Sequence, residues 1–153
     1  MKRRYIAFAL AALLALVPAT ALAAVDVVSP IFYELGPVLA VDGSLTGTDP
    51  ALSYQVSVTG VALVQTTCAQ NGNSGRTEPG DTISLQSSGY QVLEPGDTTF
   101  VVVTDPLTAP TPEQAGCKPN AKEVRLGAVD WGGAAITVSQ GATFVATEGF
   151  VIP

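Results

Sequence analysis

The longest unbroken pattern in the chain runs from Ser53 to Ala69. There Tyr54, Val56, Val58, Ala62, Val64, Thr66 and Cys68 occupy alternate positions, with Gly60 midway. Period two is the signature of a β-strand, because successive side chains point to opposite faces of the sheet. A run of this length commits the chain to a sheet with one buried face. The intervening positions begin polar, at Gln55, Ser57 and Thr59, and turn apolar at Val61 and Leu63. The strand is therefore expected to change sheets, or to be covered on both sides, near Gly60, where a bulge or bend is easy.

The rest of the chain after residue 38 reads the same way. Leu39, Val41, Gly43 and Leu45 alternate with Ala40, Asp42, Ser44 and Thr46. Further strands are expected near 81–87 (Ile83 and Leu85 inward), 98–104 (Phe100 and Val102 inward), 122–130, 134–139 and 142–147, with Gly, Pro, Asn and Asp between them. Helix signals are almost absent. About seven short strands separated by turns favour an all-β fold of two packed sheets. The antibody pattern is not met, because there the tryptophan lies between the two cysteines and here Trp131 follows both. Glu78-Pro79-Gly80-Asp81-Thr82 recurs as Glu94-Pro95-Gly96-Asp97-Thr98. Pro at the first central position and Gly at the second are the needs of a type II turn, so both copies are expected to reverse the chain. Their four carboxylates are spaced too sparsely for a calcium loop.

Met1-Lys2-Arg3-Arg4 precedes an apolar run from Tyr5 to Val17, then Pro18 and the small-residue stretch Ala19 to Ala24. Charge, apolar run and small residues in that order read as a secretory signal peptide over 1–23, with cleavage expected before Ala24. The run is shorter than the roughly 20 apolar residues of a spanning helix, so no stable membrane insertion is expected after cleavage. The exported chain would keep four basic residues (Arg76, Lys118, Lys122 and Arg125) against 13 acidic ones, a formal charge of −9. A field of that sign repels phosphate backbones, which disfavours nucleic acid as a partner. The only cysteines, Cys68 and Cys117, read as a disulfide in an oxidising compartment.

The chemistry of catalysis is thin. There is no histidine, and the one methionine is Met1. Ser-His-Asp hydrolysis is thereby excluded, no metal or other cofactor is expected, and the 13 carboxylates, mostly at turns, are better explained by solvation than by acid-base work. No enzymatic activity is expected. The Asn71 to Gly75 stretch leads into no helix and lacks the Lys-Ser/Thr ending of a phosphate loop, so it reads as a hairpin loop. Trp131, between Asp130 and Gly132-Gly133, has the makings of a sugar-stacking platform, an indole face beside a carboxylate with little bulk around it. Core or edge packing is the competing reading, and the commoner one. Asp105 to Asn120, with four prolines, reads as a surface loop pinned at Cys117, of a kind that a protease inhibitor would present.

Residues 24–38 form an apolar N-terminal arm ahead of the sandwich domain at 39–153. Val25, Val27, Val28, Ile31, Phe32, Tyr33, Leu35 and Val38 make it apolar, while Pro30 and Pro37 interrupt it and no clean alternation runs through it. Such an arm must be covered, either as an edge strand of its own sandwich or by self-assembly in a groove of a neighbouring subunit. The first needs no partner and is favoured.

The order of features is itself informative: a signal peptide, a Val/Thr strand ending in Cys68, an Asn-Gly loop, a Pro-Gly turn, a Phe-Val-Val strand, then Ala115-Gly116-Cys117-Lys118-Pro119-Asn120 and a Thr/Val-rich close. Over roughly residues 53–145 it resembles small secreted single-domain proteins of actinobacteria. The resemblance implies an immunoglobulin-like two-sheet β-sandwich with one disulfide, an extracellular location, and no particular activity. The function expected is that of a secreted, non-catalytic interaction or structural module whose partner is another protein or a cell-surface glycan.

Overall fold

The computed structural model describes residues 24–70 and 77–153. The leader at 1–23 and the Asn71 to Gly75 loop lie outside the described residues. Seven strands follow one another: β1 (Asp26–Leu35), β2 (Val38–Thr46), β3 (Tyr54–Gln70), β4 (Thr77–Leu93), β5 (Thr99–Val103), β6 (Ala121–Gln140) and β7 (Thr143–Val151). They form two antiparallel sheets, one in the order β1-β2-β5 and one in the order β4-β3-β6-β7. The fold is the expected all-β sandwich.

Alternation decides the core. Tyr54, Val56, Val58, Ala62, Val64, Thr66 and Cys68 of β3 are all buried, as are Leu39, Val41 and Leu45 of β2 and Phe100 and Val102 of β5. β6 adds Trp131, Ile136 and Val138 from the larger sheet. Apolar area removed from water at about 25 cal/mol per Å² is what drives these faces together. The alternate face of β3 stays outside: Val61 and Leu63 are exposed, and β3 neither changes sheet nor becomes covered at Gly60. Gly60 is a notch instead. A Cβ built there would lie 2.6 Å from Cζ3 of Trp131 and 2.9 Å from Cδ2 of Leu39.

The bulge expected at Gly60 sits on the neighbouring strand. Pairing steps from Val61 opposite Gly133 to Ala62 opposite Trp131, so Gly132 is the extra residue and the segments expected as two strands, 122–130 and 134–139, are one strand, β6. The two Glu-Pro-Gly-Asp copies also part ways. Gly96 has φ +93° and Asp97 N–H donates to the Glu94 carbonyl at 3.0 Å, the expected turn. Glu78 to Asp81 instead lie inside β4, with Pro79 opposite Thr67 beside an irregularity in the pairing. A proline is tolerated there because β4 is an edge strand and needs no further ladder donor at that residue.

The apolar arm is β1. It pairs with β2 across the Gly36-Pro37 turn, where Gly36 has φ +66°, and so belongs to the sandwich rather than preceding it. Ser29, at φ +50°, and Pro30 form a bulge between Val28 and Ile31, which is why no clean alternation ran through the segment. Val25 and Val27 are buried on the inner side, and Phe32 packs against the core. Both edges of the smaller sheet are capped by side chains of the larger one. Val27 N–H donates to Glu148 Oε1 at 3.1 Å, and Val101 N–H donates to Gln91 Oε1 at 2.8 Å. Each bond takes up one outward donor that an added strand would otherwise use.

β3, β4 and β6 run to 17, 17 and 20 residues while β1, β2 and β5 run to 10, 9 and 5, so the larger sheet overhangs the smaller. The segment 104–120 covers the overhang in place of a strand. Leu107 and Ala115 are buried, Leu107 N–H donates to the Pro37 carbonyl at 2.8 Å, and Asp81 N–H donates to the Ala115 carbonyl at 2.9 Å. The disulfide between Cys68 and Cys117 fastens this cover to β3.

Candidate functional site

Trp131 is 1 % exposed and its indole N–H donates to the Gly36 carbonyl at 3.0 Å. The ring is wedged between the Gly60 notch, Leu39 and the β1–β2 turn, so it offers no face to a sugar and the platform reading is corrected to core packing. Asp130 points the other way, exposed on the outer face of β6 opposite Leu63. The structure therefore separates the two residues instead of bringing them together. Alternation already implied this, since neighbours in a strand face opposite sides.

Neither of the other sequence candidates gathers chemistry. The two Glu-Pro-Gly-Asp copies lie near opposite ends of β4, on the order of 50 Å apart at about 3.3 Å per residue. Among the described residues no group of three or more metal-ligating side chains comes together. The 105–120 loop is folded back on the sheet. Ala115 N–H donates to the Thr111 carbonyl and Cys117 N–H to the Pro112 carbonyl, so its apex is a coiled turn rather than the extended segment that pairs with a protease cleft.

The surface that stands out is the outer face of the smaller sheet. Register places Tyr33 opposite Ala40 and Ala40 opposite Val103, then Ile31 opposite Asp42 and Asp42 opposite Val101. Ile31, Tyr33, Leu35, Val101 and Val103 are all exposed large apolar side chains, whereas Ala40 between them is buried by its neighbours. Soluble monomers rarely expose contiguous apolar patches beyond a few hundred Å², and larger ones mark contact sites. The charged residue at the centre of this face is Asp42. The bases Lys118, Lys122 and Arg125 lie at the disulfide end of the fold, where Lys118 Nζ sits 2.8 Å from Glu78 Oε2 and Arg125 pairs with Glu123.

Period two places Phe100 and Val102 inward and by itself says nothing of a role for Val101 and Val103. The signal was present: Phe100 to Val103 is apolar at every position, the mark of a strand with both faces apolar. No family model, curated protein or solved structure matches the chain.

Proposed function

We propose that the protein is a secreted, non-catalytic immunoglobulin-like module that docks a partner protein through the outer face of its β1-β2-β5 sheet. The observation that carries the reading is the row of exposed apolar side chains Ile31, Tyr33, Val101 and Val103 flanking Asp42. A row of exposed side chains on the face of a sheet calls for side-chain contact with a partner rather than strand addition at its edge. The partner is an apolar surface carrying a Lys or Arg to meet Asp42. A second copy is a poor occupant, since two-fold stacking would bring one Asp42 against another in an exported chain of formal charge −9.

Secretion is supported by the signal-peptide pattern of residues 1–23 and by a disulfide, which belongs to an oxidising compartment. The immunoglobulin-like assignment is supported by strand order. In the constant-type immunoglobulin sandwich the first, second, fourth and fifth strands share one sheet and the third, sixth and seventh the other; here only the fourth has moved across. The disulfide differs too, joining β3 to the loop before β6 rather than the second strand to the sixth. The kinship with small secreted actinobacterial proteins is proposed on the order of sequence features over roughly residues 53–145 alone. The non-catalytic reading rests on the lack of histidine and of a free thiol.

The test is capture from native culture supernatant with wild-type protein and with Val101→Lys and Ile31→Lys, whose exposed positions tolerate the change. A partner held by wild type and released by both variants, at unchanged melting temperature, is the expected result. Equal capture by all three, or a wild-type dimer that the variants dissociate, would overturn the assignment.

A further inference from the structure

Where β4 meets the start of the 104–120 cover there is a groove of about 460 Å³ lined by Ser57, Thr59, Ser88, Tyr90, Val103 and Asp105. The geometry points to a binding subsite for a neutral sugar in this groove, with Tyr90 as the stacking face and Asp105 as the hydrogen-bond acceptor.

The groove is held open by backbone. Asp105 N–H donates to the Ser88 carbonyl at 3.0 Å, and the Ser87 hydroxyl donates to the Asp105 carbonyl. Thr104 clamps the preceding residue: its N–H donates to the Leu39 carbonyl at 2.9 Å, and its Oγ1 accepts from Leu39 N–H at 3.0 Å. Gly89 is what permits this approach, because a Cβ there would lie 2.9 Å from both the Thr104 Cα and the Val103 carbonyl carbon. The walls are thus set before any ligand arrives, which keeps the ordering cost of binding small.

The lining selects the ligand class. Tyr90 is 69 % exposed, so the ring is free to take an apolar surface against its face. Ser57, Thr59, Ser88 and Tyr90 supply hydroxyls, each able to donate and to accept, as the ring of hydroxyls on a pyranose requires. Asp105 is in no ion pair among the described residues, and a carboxylate accepts from two neighbouring sugar hydroxyls at once. No Lys or Arg lines the groove and the chain is acidic, which disfavours phosphorylated or carboxylated sugars. An ammonium ligand would meet one ring where aromatic cages supply several, and would leave the hydroxyls unused.

The test is an array of neutral oligosaccharides (gluco-, manno-, xylo- and chito-oligomers) probed with the exported protein, followed by titration calorimetry on the best binder. Binding by at least one neutral glycan is expected, with Tyr90→Ala weakening it about tenfold, the size of one lost aromatic contact. Asp105→Asn should weaken it several-fold, while Phe144→Ala, 75 % exposed on β7, should leave it unchanged. Melting temperatures should not move, because the altered side chains are exposed. No binder on the array, an affinity indifferent to Tyr90→Ala, or binding of tetramethylammonium in place of sugar would overturn the inference. Val103 borders both surfaces, but neither Ile31 nor Val101 lines the groove and neither Tyr90 nor Asp105 is in the docking row, so Val101→Lys and Ile31→Lys test the docking face while Tyr90→Ala and Asp105→Asn test the sugar site.

Discussion

Gly60→Ala puts one methyl group where the structure has no room for it. The new Cβ would stand 2.6 Å from Cζ3 and 2.9 Å from Cε3 of Trp131, with Cδ2 of Leu39 at 2.9 Å on the other side. Trp131 cannot retreat easily, because its indole N–H is bonded to the Gly36 carbonyl and the ring is 1 % exposed. Overpacking of this kind costs about 1–3 kcal/mol, while the loss of glycine's freedom in the unfolded chain returns about 0.4–1 kcal/mol. The contact wins, leaving a net destabilisation of about 1–2 kcal/mol, or about 2–8 °C in melting temperature for a chain of this size. Gly132→Ala is the control: a Cβ there meets nothing within 4 Å, so only the entropic gain operates and stability should hold or rise slightly. Urea unfolding of the two variants, with and without Trp131→Leu, separates the causes. With the indole gone, the added cost of Gly60→Ala should shrink by about 1 kcal/mol. A Gly60→Ala protein as stable as Gly132→Ala would refute the notch.

Three further outcomes follow from the packing. Thr104→Val removes the acceptor of the buried Leu39 N–H and should cost about 1–3 kcal/mol by denaturant unfolding, although no volume is lost. Reduction of Cys68–Cys117, which closes a separation of 49 residues, should lower stability by about 4 kcal/mol on the chain-entropy model, with intact mass rising by about 2 Da. Deletion of 24–35 removes β1 together with buried Val25 and Val27; thermal melts should show a destabilised chain, and a truncated protein melting like the full-length one would refute the edge-strand role.

What alternation could show, it showed. The inward residues of β2, β3 and β5 are those read from period two, because burial of one face of a strand is a local property of the pattern. What it could not show was set by contacts between distant segments. Glu78-Pro79-Gly80-Asp81 and Glu94-Pro95-Gly96-Asp97 carry the same turn chemistry, yet only the second turns. The first is drawn straight by pairing with β3 on one side and by the Ala115 carbonyl on the other. The alternation of β1 was hidden by a bulge at Ser29 and Pro30, which shifts the parity of every residue after it. In the sequence Trp131 admits both readings, core packing as the commoner and a surface platform because Asp130 and two glycines flank it. The glycine that matters is Gly60, far away in sequence, which makes the space the ring fills.

The placement of β4 is the step from which both candidate surfaces arise. Were β4 to lie beside β5 in the smaller sheet, it would cover that sheet's edge with a full strand, and Val101 N–H would have a ladder partner. Attached to β3 instead, β4 meets β5 through the Gln91 side chain and the close approach of Gly89 to Val103 but joins it by no ladder, so the smaller sheet stays three strands wide, with Val101 and Val103 exposed at its margin. The same choice turns Ser88 and Tyr90 outward on the larger sheet next to Ser57 and Thr59. The chain leaving β5 must then pass over the β4 edge, where Gly89 admits it and the Ser88 carbonyl holds Asp105. Nothing in the sequence of β4 dictates that choice, since its alternation fits either neighbour. The sheet it joins is decided by pairing with β3 over nearly its whole length, against a β5 of only 5 residues. Strand length, which follows from the long alternating run of β3, is thus the physical link between the most legible feature of the chain and the two surfaces that were least legible.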